Sequence, residues 1–291
     1  MRDPSTHLYG YVPTEWICIL FVVLFSLSTL VHLCQAVHSR LWWLLPTTVL
    51  CGITEIIGWS GRLWSSKNPT NLNPFLMQIS TTIIAPTMLI AASFIVLGQI
   101  IRRLGQQYSR LSAWWYTIIF ISCDIIALVI QAVGGAKASI AAQNGDNPSS
   151  GGNVMLGGIA FQLAAVCVYL AFASEFLVRY FRDRPVRAVS AMETKRPALA
   201  AAVRLMLLAL ALDGVLILIR SIYRTIELSD GWTGRIITTQ VYFNALDGGA
   251  ILLALFTLNV FHPGRLLGKA HTWAGREKCA APSASSQVTA V

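Results

Sequence analysis

Four pairs of polar residues stand seven positions apart in otherwise apolar stretches of this chain: Glu55 and Arg62, Asp124 and Gln131, Asp213 and Arg220, and Gln240 and Asp247. In an α-helix seven residues make about two turns and rise about 10 Å, so each pair shares one face. Charged groups in apolar helices cost roughly 2.5–3.5 kcal/mol each at mid-membrane, and they turn toward one another or toward a polar interior rather than toward lipid. The chemistry open to such a set is ion pairing, proton exchange or recognition of a charged headgroup. The stretch "RSIYRTIE" adds Arg224 and Glu227, which follow Arg220 at spacings of four and three and so extend its face. With four mid-span acids against two arginines, the interior suits a cationic headgroup or a proton equally well. Any single pair could also serve only to clamp two helices together.

The elements that must position these residues are membrane helices. Of the 291 residues 55% are hydrophobic and 12% charged, and the mean hydropathy is +0.61. A soluble domain of that length cannot hide so much apolar surface. Runs of about 20 apolar residues, enough to cross about 30 Å of hydrocarbon, fall at about 14–36, 42–63, 74–98, 112–133, 154–178, 203–222 and 237–261. The pattern predicts an all-α integral membrane protein, one seven-helix domain spanning 1–291 with a disordered tail at 265–291. The first apolar run reads as a retained helix rather than a cleaved signal.

Placement of the basic residues gives the expected orientation. Arg2, Lys67, Lys137, Arg224 and Arg235 are the five on the side of the N-terminus and the even loops. The odd loops and the tail carry fourteen, among them Arg40, Arg102, Arg103, Arg110, Arg179 and Arg182. By the positive-inside bias the N-terminus faces outside or the lumen and the C-terminus the cytoplasm. The formal charge of +9 is thus topology, and no nucleic-acid partner is implied. In this orientation the non-acidic member of every seven-residue pair lies on the outer side. Tryptophans at 16, 42, 43, 64, 114, 115 and 232 mark the interfaces. The fourth loop, "QNGDNPSSGGN", reads as flexible, and Pro86 interrupts the third helix, which a bundle tolerates where neighbours satisfy the freed carbonyl.

Several chemistries lack their residues. "GWSG" at 58–61 has the form of an intramembrane serine-protease motif, yet His32 is the only mid-span histidine, so no base is at hand. Paired axial histidines for haem and a histidine-rich zinc set are missing, and no Lys lies in a helix to form a retinal Schiff base. There is no GxxxxGK[ST] stretch for nucleotide. Five of the six cysteines fall in helices without a CxxC pair and read as small core residues. No cofactor, metal or enzymatic residue set is expected. A receptor-like sensor of an amphiphile, signalling through its basic cytoplasmic loops, is the alternative reading.

Taken in order, "YGYVP" at 9–13, Glu55-x2-Gly58-x3-Arg62, Pro86, "FISCDIIALVIQAVGG" with Asp124 and Gln131, "RSIYRTIEL", Asp247 and "NVFHPGRLL" resemble the fungal lipid-translocating exporter family. These RTA-like seven-helix proteins include sphingoid long-chain-base exporters and proteins linked to amphiphile resistance. The resemblance covers nearly the whole chain. It implies transbilayer movement or export of a lipid-like amphiphile at the plasma membrane or an endomembrane. The chain departs from the family pattern at Gln240 and Asn244, where a Glu and a Tyr are usual, and at Trp59, where a Tyr is usual. Asp213 is not part of the family pattern.

Overall fold

A computed structural model describes residues 9–186, 199–231 and 234–268. Among them the regular elements are all helical. They are α1 (Glu15–Ser39), α2 (residues 42–67), α3 (Leu72–Leu104), α4 (Ala113–Asn144), α5 (Ser149–Phe181), α6 (Ala201–Ser229), α7 (residues 240–260) and the short α8 (Pro263–Leu266). Six segments are long and apolar enough to cross a membrane: α1, α3, α4, α5, α6 and the α7–α8 stretch Gln240–Leu266. The chain is therefore an integral, multi-pass membrane protein. The α-helical part of α2, Leu50–Lys67, carries Glu55, Arg62 and Lys67 in 18 residues and is not among the six. The basic stretch at 187–198, Trp232 and the tail from 269 onward lie outside the described residues.

Consecutive helices pack as neighbours, α1 through α7, and α7 returns to pack on α1. The ring closes around α3, which also touches α6. In α3, 72% of the apolar window is buried, against 28% in α1 and α4, so α3 is the axis of the bundle. One end carries the Glu15–Lys67 ion pair (3.2 Å) and the other the Arg110–Glu175–Arg179 cluster, with contacts of 2.7 Å. They are called the Lys67 end and the Arg110 end below. Trp16 and Trp64 are exposed at the first, and Trp42, Trp114 and Trp115 at the second, as expected of rings seated at two membrane–water interfaces.

Helices run longer than their apolar cores. The fourth loop is mostly helix: α4 continues to Asn144 and α5 starts at Ser149, leaving only 145–148 between them. The reason is close packing. A Cβ on Gly134 would sit 2.4 Å from the Met155 backbone nitrogen, and one on Gly151 would sit 2.2 Å from that of Ala138. Glycines that look like loop formers in the sequence here let two helix backbones touch. The cysteines also divide: Cys18 and Cys51 are buried, while Cys34 and Cys167 face outward and are not core residues.

Two helices contain π-helical turns. In α2, the segment Leu45–Val49, with Pro46 near its start, precedes the α-helical run that bears Glu55. In α7, Phe243–Gly249 is π-helical and carries Asp247. Such turns widen the helix locally and re-aim side chains. α3 remains helical through Pro86.

Candidate functional site

The centre of the polar interior is a network between α6, α7 and α3. Arg224 is fully engaged. Its Nε and Nη2 grip Asp247 at 2.8 and 2.7 Å, Nη1 donates to Glu227 Oε2 at 2.8 Å, and Nη2 also donates to Thr82 Oγ1 at 2.9 Å. The bidentate grip is the geometry a planar guanidinium offers a carboxylate. Arg220, one turn away, lies 3.0 Å from Asp247 Oδ1 and donates to the Thr82 carbonyl. Tyr223 donates to Glu227 Oε1 at 2.8 Å. The four charged residues are each no more than 4% exposed. Two arginines thus face two carboxylates, and the network is charge-balanced within itself.

Glu55, on α2, is the surplus acid. It is 1% exposed and lies within electrostatic reach of Asp247, Arg220 and Arg224. Its Oε2 has no hydrogen-bond partner, and no ion pair reaches it among the described residues. The Trp59 indole is beside it, but the indole N–H falls short of hydrogen-bond geometry.

Arg62, two turns on, parts company with Glu55. Among the described residues it has no carboxylate partner. It is held instead by aromatic faces, with Phe243 at 4.2 Å, Tyr9 at 5.1 Å, Tyr11 at 5.5 Å and Trp59 at 5.7 Å, and it donates to the Tyr11 hydroxyl. Cation–π contacts in a desolvated cage substitute for a counter-ion. The "YGYVP" segment supplies two walls of the cage, and Tyr9 also meets Ser65. Burial pushes the Tyr9 phenol up to about 12, against the lowering pull of Arg62, and raises Tyr11 as well. Gly248 leaves room for the Trp59 ring, since a Cβ there would lie 2.3 Å from Cζ2.

The other sequence-selected residues lie outside this network, and α3 carries a ladder of uncharged polar groups that some of them reach. Thr82 serves the arginines. Thr87 accepts from Gln162 at 3.2 Å, and Gln162 accepts from Gln131 at 3.0 Å. Ser93 donates to Asp213. Asp124 is 2% exposed and neither of its oxygens has a partner. Gln240 is half-buried and accepts from Thr14 at 3.1 Å, away from Asp247. The π turn between them breaks the two-turn register that the seven-residue spacing assumes. Sequence reading passed over Gln78, Thr82, Thr87 and Ser93; the four-residue spacing of Gln78 and Thr82 within an apolar helix was the available signal.

A polar cavity of about 390 Å³ opens above Glu227 at the Lys67 end, lined by Asn147, Asn153 and Ser229 among others. A separate gap of about 10 Å³ lies between Tyr9, Tyr11, Arg62, Arg224 and Glu227, and Glu227 lines both it and the larger cavity, the vestibule. Among the described residues no group of three or more His, Cys, Asp or Glu is placed to hold a metal ion.

Residues 48–270, from the π turn of α2 through α8, match the family described as RTA1 like protein. The chain belongs to the RTA1-like family. The match takes in Glu55, Arg62, the α3 ladder and the whole ion network. Among RTA1-like relatives in Saccharomyces cerevisiae, the sphingoid long-chain base transporter RSB1 is 30% identical over 286 residues, covering 89% of this chain and 74% of the relative. Protein RTA1 is 26% identical, covering 90% and 87%. Protoporphyrin uptake protein 1 is 23% identical, covering 89% and 92%. No solved structure matches the chain.

Proposed function

We propose that this protein moves a lipid-like amphiphile with a cationic head, of sphingoid-base type, across the bilayer toward the outer leaflet. The observation that carries this reading is Glu55, a buried carboxylate left over beside a charge-balanced network. A carboxyl in that position is held as the neutral acid or against a cation, because a bare charge in a low-dielectric interior is prohibitive. An ammonium headgroup supplies that cation. The sphingoid long-chain base named for the yeast relative is an amphiphile of this class.

In this reading α2 is the seventh span. It packs between α1 and α3 and turns Glu55 and Arg62 inward, so its charges do not meet lipid. The Lys67 end is the outer face, following the bias of basic residues toward the Arg110 end. The headgroup travels from Glu55 past Arg220 and Arg224 to the vestibule above Glu227. The Arg62 cage is the constriction it must open. The arginines order the outer half of the path, and no catalytic step is involved.

Purified protein in liposomes, assayed for transbilayer movement of a labelled long-chain amine and of an uncharged lipid, tests this. Selective movement of the amine is the expected result. Folded protein that moves neither sinks the proposal and favours a receptor-like sensor.

A further inference from the structure

A second cavity, of about 370 Å³, lies on the other side of α3 from the ion network. It is a groove between α3 and α4, floored by Met155 of α5, and its size sits at the small end of ligand pockets, roughly 300–1,000 Å³. α3 acts as a partition. Gln78 and Thr82 turn toward the arginines, Ile83 and Ile84 line the groove, and Ile79 borders both the groove and the gap beside Arg62. Exposed Ala132 and Ala136 on its α4 rim leave it open toward the bilayer side of the bundle.

The groove is apolar except at a few points, and one of them is unusual. Gln131 lines its deep end, is 2% exposed, and donates its amide to Gln162, yet its Oε1 has no partner. Ser80, across the groove on α3, has no hydrogen-bond partner among the described residues. A buried amide oxygen without a donor is a standing cost that a ligand N–H or O–H removes.

We infer that the α3–α4 groove is a lateral binding site for one single-chain amphiphile, whose hydroxyl or ammonium group donates to Gln131 Oε1 while its hydrocarbon chain lies against Ile79, Ile83 and Ile84. The choice of ligand class rests on the proposed function. Gln131 stands near the middle of α4, so the groove holds an amphiphile beside the path proposed for the head rather than on it. Gln131 is a positioning and recognition residue here, joined to the α3 ladder through Gln162 and Thr87.

The test uses the full chain in lipid nanodiscs and two photoactivatable probes of equal chain length, a long-chain 2-amino alcohol and its fully alkylated analogue without N–H or O–H donors. Peptide mapping should place the amino-alcohol label within residues 72–84 and 131–139, with the donor-free probe labelling them about fivefold less, the loss expected for one hydrogen bond. Gln131→Leu should erase that preference. Gly135→Leu should reduce labelling by both probes about tenfold by filling the groove; a Cβ at Gly135 meets only Met155 Sδ at 3.8 Å, so the fold tolerates it. Label that maps elsewhere, or that persists in folded Gly135→Leu protein, overturns the inference. Groove labelling by a protein that moves no lipid overturns the proposed function and leaves this site standing.

Discussion

The Arg220 guanidinium donates to the carbonyl oxygen of Thr82, the acceptor that Pro86, four residues on, leaves without an amide partner. A proline inside a helix strips one carbonyl of its i+4 donor, and in a membrane that oxygen needs another partner. Arg220 supplies it and at the same time lies 3.0 Å from Asp247. The proline and the arginine are 134 positions apart in the chain, yet they are two halves of one device, which ties α6 to the axis of the bundle.

Restoring the amide should therefore loosen that tie. In Pro86→Ala the new N–H competes for the Thr82 carbonyl, and Arg220 loses an acceptor. The expected result is an amide at position 86 strongly protected in hydrogen exchange, and amine movement lowered several-fold with little loss of stability. An unprotected amide at 86 would mean that Arg220 keeps the carbonyl.

Arg224 holds two acids and a threonine at once. Arg224→Ala leaves Asp247 and Glu227 buried without their main cation and should cost about 3–5 kcal/mol, the range for breaking a buried pair. Arg224→Lys should recover part of this but not all, since an ammonium cannot grip Asp247 through two parallel bonds. Thermal unfolding in one detergent measures both.

The α4–α5 contact gives a matched pair of variants. Gly151→Ala forces a methyl toward backbone atoms of Ala138 at 2.2 Å, and backbone cannot swing aside as a side chain can. A loss of about 2 kcal/mol is expected for that overpacking. Gly157→Ala, with nothing within 4 Å of its added Cβ, should be neutral or slightly stabilising. Equal unfolding midpoints for the two would show that the helices do not touch there.

The cage around Arg62 has a pH signature. Burial raises Tyr9 from 10.0 to about 12, so the folded protein favours the neutral phenol. Its contribution to stability is complete below pH 10 and is lost as the pH rises from 10 to about 12. In a difference titration of tyrosinate absorbance, wild type minus Tyr9→Phe should show a group ionising near pH 12. A difference centred near 10 would place Tyr9 in solvent.

Much of the polar interior can be read from the sequence because charge in an apolar helix is conspicuous. Arg220, Arg224, Glu227 and Asp247 are picked out by type and helical spacing, and the structure brings those four together. Arg62 is conspicuous for the same reason, and Trp59, one turn back on its own helix, is a partner that spacing could have shown; the other three rings come from α7 and from the segment before α1, which nothing local signals. The Gln240–Asp247 pair fails for a backbone reason, since the seven-residue rule holds only for 3.6 residues per turn and α7 is π-helical there. Thr82, Thr87 and Ser93 stay hidden because hydroxyls are common on membrane helices; only the third dimension shows that each meets a buried partner on α5 or α6. The glycines at 151 and 152 mislead in the opposite direction, since in a sequence they look alike whether they open a loop or seat a helix.

The central claim is that the surplus carboxylate of Glu55 receives the cationic head. It is tested most directly by comparing Glu55→Gln with wild type in liposomes, following a labelled long-chain amine and an uncharged lipid of the same chain length. The variant is expected to fold, since Glu55 is outside the charge-balanced network, and amine movement to fall at least about tenfold, with selectivity over the uncharged lipid lost. Unchanged, still selective movement of the amine by folded Glu55→Gln protein would contradict it.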